Sequence, residues 1–192
     1  DNNILPDELF SGQNDFFSKP YDPNVIRFFF LQAHYRSELD IGEVAINASE
    51  KGFERLVEMI DRLKNIKVSS INDDNLLSQI KDWEKNCFDC LDDDFNSPKL
   101  IAEIFNSSKL ITQIEKDGNA GERDRDYFLG LFDTLLNNIL GIDYSKSTSD
   151  NDSILKILLN IRDEARIKKD FTLSDSIRDQ LNKLGVKVND KD

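Results

Sequence analysis

The sequence has few residues that turn or break a chain, with eight glycines and four prolines among 192 residues. An all-β fold needs more turn residues than this. Long apolar runs are also lacking, because no stretch approaches the roughly 18 apolar residues that cross a bilayer. A basic-then-apolar leader with a small-residue cleavage site is missing as well. We therefore expect neither a membrane partner nor secretion.

Metal-binding and nucleophilic residues are equally scarce. The two cysteines, Cys87 and Cys90, lie three positions apart, and the single histidine, His34, is more than fifty positions upstream. A zinc site would need about four such ligands, and a thioredoxin-like motif would need a βαβ setting. Phosphate-cradling glycine loops and nucleophile elbows are missing too. We predict two ordinary helix cysteines in a reducing compartment, no metal site, no cofactor and no catalytic residue in this chain.

Apolar residues recur at steps of three and four along most of the chain, which is typical of amphipathic helices. Hydrophobic residues make up 39% and charged residues 32% of the sequence, and thirteen phenylalanines supply core volume. The fold class predicted is all-α, an antiparallel helical bundle followed by a small helical module with a short β-like end at 186–188. The predicted helices cover 23–36, 40–66, 73–91, 97–117, 127–140, a segment to 169 and a segment to 184.

Charge is unevenly distributed along the chain, whose net charge is −12. Residues 71–152 carry 18 acidic and eight basic side chains, whereas residues 153–192 carry seven acidic and nine basic ones. Only this last segment is net positive. A polyanion would therefore approach the C-terminal segment and avoid the middle of the chain.

The positive segment contains a corner between two predicted helices, with Phe171 at the corner. Arg162 and Arg166 share a face of the first helix, and Asp175 and Arg178 share a face of the second. A flat ring, guanidinium donors and a carboxylate acceptor suit the faces and edges of unpaired bases. Spacing alone favours a simpler interpretation, in which these are two surface helices with ordinary ion pairs.

Several segments together resemble one family, the class I cysteinyl-tRNA synthetases. Residues 26–37 resemble the family's helix that ends in His-Tyr-Arg-Ser, and residues 92–98 resemble its Asp-Asp-Phe-Asn-Thr-Pro element. Residues 162–185 resemble the pattern near the anticodon. Residues 1–10 resemble the segment just after the family's Lys-Met-Ser-Lys-Ser signature, with Asn2 matching an asparagine there.

The resemblance implies different roles for different segments of the chain. It makes residues 1–50 a stem-contact region next to the active site, 51–145 a helical bundle along the tRNA stem and 153–192 an anticodon-binding module. The composition of residues 146–152 predicts a linker before this module. The catalytic domain of the family, with its zinc ligands and ATP site, would lie upstream. The parent enzyme would join cysteine to tRNA(Cys) in the cytoplasm, using ATP with magnesium and also zinc.

The resemblance also implies roles for individual residues in tRNA binding. Arg166 and Arg178 would donate to bases or phosphate, Asp175 and Asp190 would accept from base amino groups, and Phe171 would stack. Phosphate attraction would come from Arg162, Lys168 and Lys169. The partners expected are tRNA(Cys) and the N-terminal catalytic domain, and the chain alone is expected to be inactive.

Two other functions fit parts of the sequence. The acidic middle could dock a basic partner, which would make the chain a non-catalytic all-α protein-interaction module. A ligase branch that joins cysteine to a small amino sugar shares the synthetase ancestor. The anticodon-like residues 166–190 count against that branch.

Overall fold

The computed structural model describes residues 5–12, 16–70, 72–145, 158, 160–162, 164–166 and 170–183. The chain divides into two compact units, Asp1–Tyr144 and Ser145–Asp192. The first unit therefore includes both the predicted stem-contact region and the predicted bundle. The predicted linker, 146–152, lies outside the described residues.

The all-α prediction is confirmed. Over the described residues the regular structure is helical, apart from one isolated bridge between Ser69 and Gly121. The helices of the first unit are α1 (Pro6–Ser11), α2 (Pro23–Leu31), α3 (Glu43–Lys64), α4 (Asp74–Asp92), α5 (Ser97–Asp117) and α6 (Glu122–Asp133). A π-helical turn, Thr134–Ile139, continues α6.

Helix α3 is the centre of the first unit, since α2, α5 and α6 all pack against it. Its buried face includes Ile46, Phe53, Leu56 and Ile60. Ala45 and Ala48 are exposed. The buried face follows the larger side chains Ile46 and Phe53, which bury more apolar area than alanine.

An aromatic cluster joins α4 to α6. The ring of Trp83 lies 5.1 Å from that of Phe128 and 5.2 Å from that of Phe132. The indole Nε1–H donates to the carbonyl of Glu103 on α5 at 2.9 Å. One buried tryptophan thus ties three helices together, with its polar group satisfied.

Helix α2 begins as predicted, with the Asp22 carboxylate accepting from the Asn24 N–H at 2.7 Å. It ends at Leu31, however, and not at Arg36 as predicted. Residues 32–37 form turns that carry His34, Tyr35 and Arg36 away from the helix axis. Helix α5 covers the predicted range 97–117, and the side chain of Asn96 caps its start by accepting from the Lys99 N–H at 3.2 Å.

The second unit is described in part. Residues 160–162 and 164–166 are helical, and α7 covers Phe171–Lys183. The predicted β-like end at 186–188 lies outside the described residues.

Candidate nucleic-acid interface

The corner before α7 is held by Asp170. Its backbone N–H donates to the Ala165 carbonyl at 2.8 Å, and its carboxylate accepts from the Leu173 N–H at 3.1 Å. The second contact is an N-cap interaction, which satisfies a donor of the first turn of α7. Asp170 therefore fixes how the helical segment 164–166 meets α7.

Phe171, the first residue of α7, follows this cap directly, and its side chain is 61% exposed. Two further apolar side chains in this unit are exposed, Ile161 at 43% and Leu173 at 44%. The sequence pattern had not singled out either of these two. An exposed ring on a capped helix start is a fixed platform on which a base could stack.

Charged groups accompany Phe171 along α7. Asp175 and Arg178 lie four and seven positions after it, so all three share one helical face. The Arg178 guanidinium contacts the Asp175 carboxylate at 3.2 Å. Asp175 is exposed and Arg178 half-buried, and Arg166 is exposed on the preceding helical segment. The face thus presents an aromatic ring, donors and an acceptor.

Arg162 differs from the other predicted contact residues, because it is only 5% exposed. It is buried within the second unit, as are Ala165, Ser174, Ile177 and Leu181. Because its side chain is buried, Arg162 is poorly placed to contact a phosphate. Lys168, Lys169 and Asp190, the remaining predicted contacts, lie outside the described residues.

In the first unit, the carboxylate of Asp94 joins two loops. The Tyr35 hydroxyl donates to Asp94 Oδ1 at 2.8 Å, and the Arg36 guanidinium contacts Asp94 Oδ2 at 3.0 Å. His34 Nε2 lies 4.0 Å from the same oxygen, and its ring stacks on Tyr35 with centroids 4.7 Å apart. The two sequence motifs at residues 34–37 and 92–98 therefore meet in space.

The three consecutive aspartates, Asp92 to Asp94, lie at the junction of α4 and α5. Asp92 is the last residue of α4. Side-chain contacts hold the other two: Asp93 pairs with Lys99 at 2.6 Å, and Asp94 with Arg36. The contact with Lys99 is the main cause that lowers the pKa of Asp93. Pairing with cations therefore compensates the charges of Asp93 and Asp94.

The two cysteines both lie on α4 as free thiols. Cys87 is fully buried, and burial raises the pKa of its thiol. Burial is also the main cause that raises the pKa of Cys90. A reactive cysteine needs a lowered pKa, so neither thiol is activated as a nucleophile.

Comparison with known proteins identifies the relatives of this chain. Over 98% of its length it is 34% identical to the cysteine–tRNA ligase of Porphyromonas gingivalis and 35% identical to that of Bacteroides thetaiotaomicron. Over 94% of its length it is 38% identical to that of Chlorobaculum tepidum. The chain is homologous to cysteine–tRNA ligases. The resemblance to this family inferred from the motifs is therefore confirmed.

The match covers only part of each ligase. The chain spans 39% of the length of the Porphyromonas and Bacteroides ligases and 38% of the Chlorobaculum one. No protein-family model matches the chain. In the part of the chain that the structure describes, no helix is both long and apolar enough to cross a membrane.

Proposed function

We propose that this chain is the tRNA-binding half of a cysteine–tRNA ligase and that residues 153–192 bind the anticodon. The observation that carries the proposal is the exposed ring of Phe171 at the capped start of α7, in a chain homologous to these ligases. The net positive charge of 153–192, against a strongly acidic middle, supports the same end of the chain as the RNA contact.

The proposed roles follow the chemistry of the side chains. Phe171 stacks on an unpaired base, a contact worth about 1–3 kcal/mol. Arg166 and Arg178 donate to base edges or phosphate, and Asp175 and Asp190 accept from base amino groups. Lys168 and Lys169 attract phosphate. We assign buried Arg162 to holding the helix that presents Arg166, and not to phosphate.

Catalysis belongs to the parent ligase in this proposal. That enzyme attaches cysteine to tRNA(Cys) in the cytoplasm with ATP, magnesium and zinc, and the residues for this chemistry are outside the chain. The stem-contact region at 1–50 and the bundle at 51–145 lie along the tRNA. The homology to cysteine–tRNA ligases supports this assignment to the family.

A binding measurement with variants of the intact chain tests the proposal. Phe171→Ala and Arg166→Ala should each weaken the binding of tRNA(Cys) at moderate salt by about tenfold, equivalent to about 1.4 kcal/mol. Leu173→Ala and Gln180→Ala are matched controls, since both side chains are exposed on α7 away from the face of Phe171, Asp175 and Arg178. The controls should bind tRNA(Cys) like the wild-type chain.

Two outcomes would overturn the assignment. Equal affinity of Phe171→Ala, Arg166→Ala and wild type for tRNA(Cys) would remove the proposed contacts. Equal binding of tRNA(Cys) and an unrelated structured RNA by the wild type would remove the specificity. Tight binding of a basic protein, without tRNA binding, would favour the interaction-module alternative, which the acidic segment 71–152 motivates.

A further inference from the structure

The loop pair formed by residues 34–36 and 93–96 exposes two large aromatic side chains. Tyr35 is 62% exposed and Phe95 45% exposed. The Arg36 guanidinium lies 5.2 Å from the Tyr35 ring centroid. Tyrosine, phenylalanine and arginine are the residues enriched where proteins bind one another.

The backbone of the second loop is strained at two neighbouring residues. Asp94 and Phe95 have φ of 55° and 51°, in the left-handed region. Aspartate tolerates this region at a helix end, but a bulky aromatic residue is seldom found there. Strain of this kind persists only where surrounding contacts impose it, and it concentrates at functional sites.

Hydrogen bonds impose the strained conformation. The Phe95 N–H donates to the Leu91 carbonyl at 2.9 Å, and the Asn96 N–H donates to the Cys90 carbonyl at 3.0 Å. The side chains of Tyr35 and Arg36, in the loop after α2, contact the carboxylate of Asp94. The same contacts that fix Asp94 therefore leave the ring of Phe95 turned partly into solvent.

The charges of the loop pair argue against RNA as its ligand. Arg36 is paired with Asp94, and Lys99 is paired with Asp93. Asp92 is exposed beside them. Phosphate attraction needs an excess of cations, whereas the three aspartates here outnumber the two cations, Arg36 and Lys99. A protein surface is the better complement to exposed rings with paired charges.

We propose that the loop pair is the docking surface for the part of the ligase that this chain does not span. The inference rests on the proposed function, which makes the chain one part of a longer enzyme. The chain spans 39% of the length of the Porphyromonas relative, so a large protein partner belongs to the same polypeptide there. Docking would cover Tyr35 and Phe95 and would use the rigid, strained loop as a preformed contact.

Amide hydrogen exchange can locate this surface. Exchange would be measured in two proteins. One is the intact chain alone, and the other is the full-length Porphyromonas gingivalis ligase with this chain substituted for its matching part. Amides of residues 34–37 and 93–97 should exchange at least about tenfold more slowly in the full-length protein. Unchanged exchange in both loops, with protection elsewhere in the first unit, would overturn the proposal.

A double variant, Tyr35→Ser with Phe95→Ser, provides the second measurement. Both side chains are exposed, so the thermal unfolding midpoint of the isolated chain should stay within a few degrees of wild type. In the full-length protein the variant should lose the slowed exchange of the two loops and most of the cysteinylation activity. Phe88→Ser, which alters an exposed ring on α4, should do neither. Wild-type protection and activity in the double variant would contradict docking here.

Binding of tRNA(Cys) to the isolated chain separates this inference from the proposed function. The double variant should still discriminate tRNA(Cys) from the same tRNA with altered anticodon bases, whereas Arg166→Ala should not. A loss of tRNA affinity in the double variant equal to that of Arg166→Ala would make the loop pair an RNA contact and overturn docking. If the wild type itself did not bind tRNA(Cys), the proposed function would fail, and the exchange measurement would still report on docking.

Discussion

At the scale of single residues, the buried carboxylate of Asp124 ties the starts of two helices together. It is fully buried and accepts from the backbone N–H groups of Asp73 at 3.0 Å and Gly121 at 3.3 Å. Arg123 contacts its other oxygen at 3.0 Å. A buried charge is tolerated only where hydrogen bonds and a counterion compensate for the water it loses. Here both are present, at the point where α4 and α6 begin.

Replacing this carboxylate should destabilise the first unit strongly. Asp124→Ala leaves two N–H groups without their acceptor, and we expect a loss of about 3 kcal/mol in the free energy of unfolding. Urea denaturation of the intact chain measures it. Asp126→Ala is the control, since the side chain of Asp126 is 57% exposed and its removal should change stability by less than about 0.5 kcal/mol. Equal losses for the two variants would contradict the assigned role of Asp124.

At the residue scale, burial also distinguishes one of the predicted RNA contacts, Arg162, from another, Arg166. Sequence spacing placed Arg162 and Arg166 on one face and treated them alike, but Arg162 is buried and Arg166 is exposed. Spacing cannot show where the core of a small unit lies, because Ala165, Ile177 and Leu181 contribute to that core from two helices. Exposure of Phe171, by contrast, follows from its position at the corner.

At the scale of helices, two glycines, Gly118 and Gly130, have different backbone conformations. Gly118 ends α5 with φ of 62°, and an added Cβ would meet no atom within 4 Å. Gly130 lies inside α6 with normal helical geometry, also with open space around an added Cβ. Any effect of alanine at either site therefore comes from backbone conformation and not from a steric clash.

The two substitutions should consequently have opposite signs. Gly118→Ala forces a left-handed conformation on alanine and should lower the free energy of unfolding by about 1 kcal/mol. Gly130→Ala should raise it by about 0.5–1 kcal/mol, because alanine restricts the unfolded chain and favours the helix. Thermal unfolding of the two variants side by side tests this pair. Changes of the same sign would show that backbone conformation does not decide the effect.

Helix boundaries show what local sequence can and cannot predict. The start of α2 at Asp22-Pro23, the start of α4 after Asp73 and the end of α5 at Gly118 all have local signals, and the structure confirms them. The end of α2 has no such signal. Tyr35 in the loop after α2 contacts Asp94, which lies 59 positions away in the sequence. A contact at that separation cannot be inferred from the neighbours of Leu31.

At the scale of the whole molecule, charge distinguishes one end of the chain, whereas homology extends over 98% of it. Residues 153–192 are net positive, residues 71–152 are strongly acidic, and the relatives are tRNA ligases. The fold class followed from helical periodicity alone. The proposed ligand did not, since an aromatic corner with ion pairs also fits an ordinary helix surface, and tRNA(Cys) is proposed from the resemblance. The surface at Tyr35 and Phe95 required coordinates, because two distant loops form it.

The central claim is that residues 153–192 recognise the anticodon of tRNA(Cys). The most direct measurement compares the affinity of the intact chain for tRNA(Cys) with its affinity for the same tRNA carrying altered anticodon bases, at one fixed salt concentration. The account predicts that the altered tRNA binds at least about tenfold more weakly, and that Phe171→Ala removes most of this difference. Equal affinity of the wild-type chain for both tRNAs would contradict it.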